Sequence, residues 1–311
     1  MQRIITRHLQ GSVCAYEPTT SRPGELDPVA KFRIASDDEV HDHAVTAELH
    51  RALYATKHEV VCIDRAGAEL WRYEFAPRSK EKYGHWPSCD YSLDESLVWV
   101  YRPDAMAGRG NPDMWVVLDA GSGSVVAQAE LETAGHGATS LRHPSGSHFM
   151  LSVGEGQDGC VVYRGALSDG ALVLDRYPWA DRCPIDISPD GRRFMSVDHG
   201  QSDVQFHDHP GGEVVLTLPI EVFGHGPEDA CVEWSGGYLD PDTAIVTVGG
   251  ETEDEEEWHQ HYLVDLRTGG VQDSLDAHSR NAYDFEPLGD GSWLTSTPDG
   301  RPILWRHAKP D

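Results

Sequence analysis

Seventeen histidines in a chain of 311 residues are a chemical resource, because imidazole ligates zinc, iron and manganese and exchanges protons near neutral pH. Five of them, His43, His85, His136, His225 and His278, recur at equivalent places ahead of short apolar runs, and His41 accompanies the first. Converging on one face, they would hold a divalent metal and activate water, with Glu228 and Asp229 nearby as further ligands or acid and base groups. That arrangement describes a metal-assisted hydrolase or lyase acting on a small molecule. No Gly-x-Ser-x-Gly elbow, His-Glu-x-x-His helix or Gly-x-x-x-x-Gly-Lys-Ser/Thr loop offers another catalytic route.

A second feature is the run from Gly250 to His261, which packs six carboxylates into seven residues between Glu251 and Glu257. Like charges at that density repel, so the run is expected to be extended and mobile unless a cation or a basic partner neutralises it. Trp258 beside it suits an aromatic anchor in a partner's pocket. A second long connection, Arg102 to Asp113, is rich in Gly and Pro and carries Arg109; long loops on rigid scaffolds commonly carry recognition. The binding candidates are therefore Trp86, Arg109, Glu228, Asp229, Glu253, Glu255, Glu256 and Trp258. Trp86, Trp179 and Trp234 fall near the starts of apolar runs, where large side chains pack between sheets or line a binding surface.

These residues are set on a repeat. Its clearest unit reads Pro184 to Ile187, a Ser188-Pro189-Asp190-Gly191 turn, Arg193 to Val197, then Ser202 to Asp208 and Glu213 to Leu218. In that turn Pro presets φ, Asp caps local amides and Gly takes positive φ, so the unit is four short strands joined by tight turns. First strands recur near Val45, Asp90, Leu141, Ile185, Val232 and Tyr283, a spacing of roughly 45 to 50 residues that matches one blade of a β-propeller. Gly84-His85, Gly135-His136 and Gly224-His225 precede first strands at the same phase, and Ile63-Asp64, Leu118-Asp119, Val264-Asp265 and Trp305-Arg306 end third strands.

In these two elements residues 43 to 307 resemble the WD-repeat family, in a divergent form. The resemblance implies an all-β propeller of four-stranded antiparallel blades, with the blade-start histidines hydrogen-bonded inside their own blades rather than to a metal. The whole chain, 1–311, is expected to form one propeller domain. Its last unit shows three strands, and the N-terminal strands of residues 1–36 (Arg3 to Thr6, Ser12 to Tyr16 and, after a loop from Thr19 to Asp27, Val29 to Ile34) are expected to close the ring, giving seven blades, or six as the alternative.

Composition narrows the partners. A formal charge of -27, from 52 acidic and 25 basic residues, repels phosphate backbones and anionic membranes. Nucleic acid and membrane surfaces are thus poor partners, and a protein with a basic surface is a better one. The six cysteines lack a Cys-x-x-Cys pair and are expected to be reduced and buried, and no apolar run reaches the ~20 residues of a membrane span, so a cytoplasmic protein is expected. The leading expectation is a non-catalytic interaction module that binds through its blade-start and long loops and needs no cofactor. The metal-assisted enzyme is the alternative.

Overall fold

The computed structural model describes residues 3–18, 22–83, 86–179, 181–252, 254 and 256–307. The chain divides into two compact units, residues 1–21 with 27–180 and residues 22–26 with 181–311. In the first unit β1 (Ile5–Leu9) and β2 (Ser12–Tyr16) pair in a sheet with β4 (Ala30–Arg33), while β3 (Gly24–Glu25) belongs to the second unit. The next sheet runs β5 (Val40–Val45), β6 (Arg51–Thr56), β7 (Glu59–Asp64), β8 (Glu69–Glu74). Then come β9 (Ser88–Tyr91), β10 (Leu97–Arg102), β11 (Met114–Asp119), β12 (Val125–Glu130), and β13 (Gly137–Arg142), β14 (Phe149–Gly154), β15 (Cys160–Ser168), β16 (Ala171–Arg176).

The second unit holds β17 (Arg182–Ile187), β18 (Arg193–Asp198), β19 (Asp203–Asp208), β20 (Val214–Pro219), followed by β21 (Ala230–Asp240), β22 (Thr243–Glu251), β23 (Glu257–Asp265), β24 (Gly270–Leu275). Its last sheet is β25 (Glu286–Pro287), β26 (Ser292–Ser296), β27 (Pro302–Arg306), completed by β3. The seven sheets are the blades of an all-β, seven-bladed β-propeller. Six blades have four antiparallel strands and the N-terminal one has three among the described residues. β3 comes from the stretch expected to be a loop, and the first strand of the last blade starts at Glu286 rather than near Tyr283.

Middle strands such as Val60-Val61-Cys62-Ile63 and Val116-Val117-Leu118 are buried throughout, because their blade is covered on both faces and polar alternation would strand polar groups. Fourth strands bury little: β8 buries only Trp71 and β12 only Ala127. The core lies between neighbouring blades, where Leu53, Val60, Cys62 and Trp71 meet Tyr91, Val98, Val100 and Leu118, and Met195, Val204 and Phe206 meet Tyr238, Val246 and Val264.

The turns follow one chemistry. Ser188 Oγ donates to Asp190 Oδ1 at 2.8 Å and accepts from the Arg193 amide at 2.9 Å, while Gly191 takes φ 71°. Ser92 with Asp94 and Thr297 with Asp299 repeat the motif. The Asp that ends the third strand is also a turn cap: Asp64 Oδ1 accepts from the Ala66 and Ala68 amides, and Asp119 Oδ1 from those of Gly121 and Ser122.

Two pairs of neighbouring blades are joined by an aspartate in a first strand. Asp42 Oδ1 accepts the His43 amide at 2.8 Å and Oδ2 the Cys89 amide of the next blade at 2.7 Å. Asp186 does the same with the amides of Ile187 and Tyr238, both at 2.8 Å. Cys14, Cys62, Cys89 and Cys231 are free thiols, as expected, but Cys160 and Cys183 are disulfide-bonded, which corrects the expectation of reduced thiols at those two positions.

Burial pushes the Asp42 carboxyl up to about 7, against the pull of its amide donors. A raised carboxyl holds its proton more tightly folded than unfolded, so its contribution to stability is full below the ordinary carboxylate range and is lost as pH rises through 7. In urea unfolding, Asp42→Asn should lose about 1–3 kcal/mol at pH 5, and less at pH 8. Asp186→Ala, which orphans the Tyr238 amide, should lose a similar amount.

Candidate functional site

The histidines expected to ring a metal are held singly. In the first unit His43 Nδ1 lies 2.9 Å from Thr6 Oγ1, and burial lowers its pKa to about 4. His136 is exposed, its amide bonded to the Gly154 carbonyl and its carbonyl to the Trp86 amide. In the second unit His225 Nε2 lies 2.8 Å from Tyr262 Oη. His278 lies tilted against the Trp305 ring, centroids 4.1 Å apart, with Nδ1 3.2 Å from Asp276. His85 lies outside the described residues.

The Arg102 to Asp113 connection is pinned by internal hydrogen bonds. Asp113, fully buried, accepts the Asp104 and Ala105 amides at Oδ1 and the Tyr101 hydroxyl, Thr133 hydroxyl and Gly135 amide at Oδ2. Arg109 donates to the carbonyls of Pro103, Pro77 and Lys57 and packs over Phe75 at 5.5 Å. Its side chain is 0% exposed, against Asp104 at 1%. Arg109, expected to face a ligand, instead organises the loop from within; Trp86, beside Gly137, stays 58% exposed.

Of the remaining binding candidates, Glu228, Asp229, Glu256 and Trp258 come together at one end of the sheet β21 to β24. The hairpin β22–β23 has nine-residue arms, where most other strands have six or fewer. Gly250 pairs with Trp258 and Glu251 with Glu257, and the Thr252 amide closes the turn on the Glu256 carbonyl at 2.9 Å. Ala230 pairs with Gly250, so Glu228 and Asp229 sit beside the tip of the hairpin. Gly250 must lack a side chain, since a Cβ there would come 2.5 Å from the Asp229 carbonyl oxygen and 3.0 Å from the Trp258 indole. Glu228, Asp229, Glu251, Asp254, Glu256 and Glu257 are exposed and form no ion pair among the described residues. Glu253 and Glu255 lie outside those residues.

Strand alternation puts Trp258, Gln260 and Tyr262 on one face of β23. There the His225 ring lies 4.9 Å from Trp258. Tyr262 donates its hydroxyl proton to Gln260 Oε1 at 3.0 Å, so it accepts from His225, whose Nε2 carries the hydrogen.

His259 and His261 fall on the other face. They line a cavity of about 360 Å³ with Ser274, Leu275 and the segment Asp276 to Ser279. Both Nε2 atoms reach one hydroxyl: Ser279 Oγ is 3.0 Å from His259 and 2.8 Å from His261. His261 is 2% exposed, stacked on Phe285 at 4.6 Å, with Nδ1 2.9 Å from the buried Thr247 Oγ1. Burial lowers its pKa to about 4, so it is neutral at pH 7. Sequence reasoning passed over this group because Thr247 and Ser279 carry no motif and meet the histidines only through the fold.

No family model matches the chain, and no curated protein matches it in sequence. Solved structures do match. Hydrazine synthase of Kuenenia stuttgartiensis aligns over 83% of this chain and 74% of its own, at 16% identity and TM-score 0.56. BamB of Moraxella catarrhalis aligns over 100% and 97%, at 13% identity and TM-score 0.52. The β-propeller domain of Cps50 (Swd1) from Myceliophteria thermophila aligns over 88% and 98%, at 10% and 0.48. The likeness is one of fold. At these identities the alignments with the first two show a shared fold and assign no activity. Among the described residues no helix is long and apolar enough to cross a membrane.

Removing Asp104 leaves the Arg109 guanidinium buried without a carboxylate, a defect of about 3–5 kcal/mol. Asp104→Ala should therefore lower stability by that order in urea unfolding and open residues 103–113 to limited proteolysis.

Proposed function

We propose that the protein is a non-catalytic interaction module that takes a protein partner with a basic surface on the acidic end of the β21 to β24 sheet. One observation carries this reading. Six exposed carboxylates stand around the half-buried Trp258 without an ion pair among the described residues, so a cationic partner finds acceptors that need not first give up internal partners. The two arms of the hairpin hold Glu251 and Glu257 on a paired scaffold, which lowers the ordering cost of binding.

The charge steers the partner and Trp258 anchors it. Exposed ion pairs contribute only about 0.2–1 kcal/mol each, whereas a buried interfacial Trp is worth about 2 kcal/mol or more. The net charge of -27 supports exclusion of nucleic acid and anionic lipid. A divergent WD-repeat relationship remains part of this reading, resting on the Gly-His and hydrophobic-Asp positions. The disulfide state of Cys160 and Cys183 is typical of an oxidising compartment and weighs against the cytoplasmic placement expected from the sequence.

The test is a peptide array pairing Lys/Arg-rich sequences with neutral ones of equal length. The intact protein should retain basic peptides, more weakly as salt rises. The combined Glu251→Gln, Asp254→Asn, Glu256→Gln and Glu257→Gln variant should bind about tenfold less, and Trp258→Ala about thirtyfold less. Equal retention of basic and neutral peptides, or unchanged binding by both variants, would sink the proposal.

A further inference from the structure

We infer that His259 and His261 are paired ligands for a divalent late transition-metal ion, zinc, nickel or copper, held in the cavity beside β23 and β24. Two histidines two residues apart on a strand project from the same face, and here both turn the same atom, Nε2, toward a single point occupied by Ser279 Oγ, at 3.0 and 2.8 Å. Imidazole nitrogen is the donor such ions favour, with bonds of about 2.0–2.1 Å for zinc. The rings meet edge to face, centroids 5.6 Å apart at 70°, so the two nitrogens approach a common point from different directions, as separate ligands of one ion must.

The surroundings prepare one ligand further. Thr247 is fully buried beside Nδ1 of His261. With Nδ1–H donated to Thr247 Oγ1, the Nε2 lone pair faces the cavity, the orientation that an outer hydrogen bond imposes on metal-binding histidines. The Ser279 hydroxyl then donates to His261 and accepts Nε2–H from His259. Binding an ion moves the His259 proton to Nδ1 and leaves both Nε2 lone pairs directed inward. Ser279 Oγ is the nearest oxygen for a third position, and water completes the shell. The geometry provides an open coordination sphere, the kind in which a small ligand binds directly to the ion.

The experiment is calorimetric titration of zinc(II) into the full chain, with cobalt(II) followed by its visible absorption as a coordination probe. The intact protein should bind an equivalent of zinc that is missing in His259→Gln and in His261→Gln, and retained in His50→Gln and in the variant with the four hairpin carboxylates neutralised. Thr247→Val should weaken that equivalent by about ten- to hundredfold. His261 is buried, so His259→Gln, half-exposed and checked by circular dichroism for an unchanged fold, is the deciding variant. Zinc stoichiometry and cobalt absorption identical in the intact protein and His259→Gln, or no zinc bound by the intact protein, would overturn the assignment.

Discussion

Two blade-to-blade steps depend on an aspartate in a first strand whose two oxygens are filled by backbone amides, one from its own strand and one from the next blade. Asp42 reaches the Cys89 amide and Asp186 the Tyr238 amide. Hydrophobic burial between blades is plentiful but non-directional, and sheets packed face to face slide and rotate at modest cost. A hydrogen bond from a backbone amide to a fixed carboxyl oxygen is directional, so it sets the step between the two blades it joins. It also satisfies first-strand amides that a four-stranded sheet leaves without a ladder partner.

Much of this was legible in the sequence, and what was not has a common cause. The repeat shows because turn chemistry and strand alternation are local: Ser188 to Arg193 describes its own turn. The blade-to-blade aspartates are invisible because their partners lie 47 and 52 residues away. The Arg102 to Asp113 connection reads as a recognition loop from its length and its Gly and Pro content, yet Asp113 gathers five donors that only the fold brings to it. β3 escaped because two residues carry no periodicity. Of the binding candidates, Glu228, Asp229, Glu256 and Trp258 meet at one sheet end because the acidic run spans a hairpin and pairing is local; Arg109 is internal because its partners are not.

β23 shows how a single strand serves two chemistries. Its even-numbered residues, Trp258, Gln260 and Tyr262, build an aromatic and hydrogen-bonded platform with His225, while its odd-numbered ones, His259 and His261, converge in a cavity. The blade backbone separates the two faces, so substitution on one leaves the other's first contacts in place. The acidic tip lies beyond both, where the paired arms leave the rest of the sheet behind.

The completion of the last blade by β3 has a consequence for how the chain is assembled. Glu25 pairs with Ile303, and the Leu26 amide donates to the Pro302 carbonyl at 2.9 Å, so this sheet joins segments separated by most of the chain. Loop-closure entropy grows only slowly with length, which makes the pairing affordable at equilibrium, but long-range contacts form late. As the polypeptide emerges from the ribosome, β3 must stay unpaired until β27 has been made. Until β3 docks, the outer edge of the newly made β27 has no neighbour, and an unpaired edge is where chains aggregate. A two-residue strand limits that exposure on its own side, since it offers too little backbone to capture another chain.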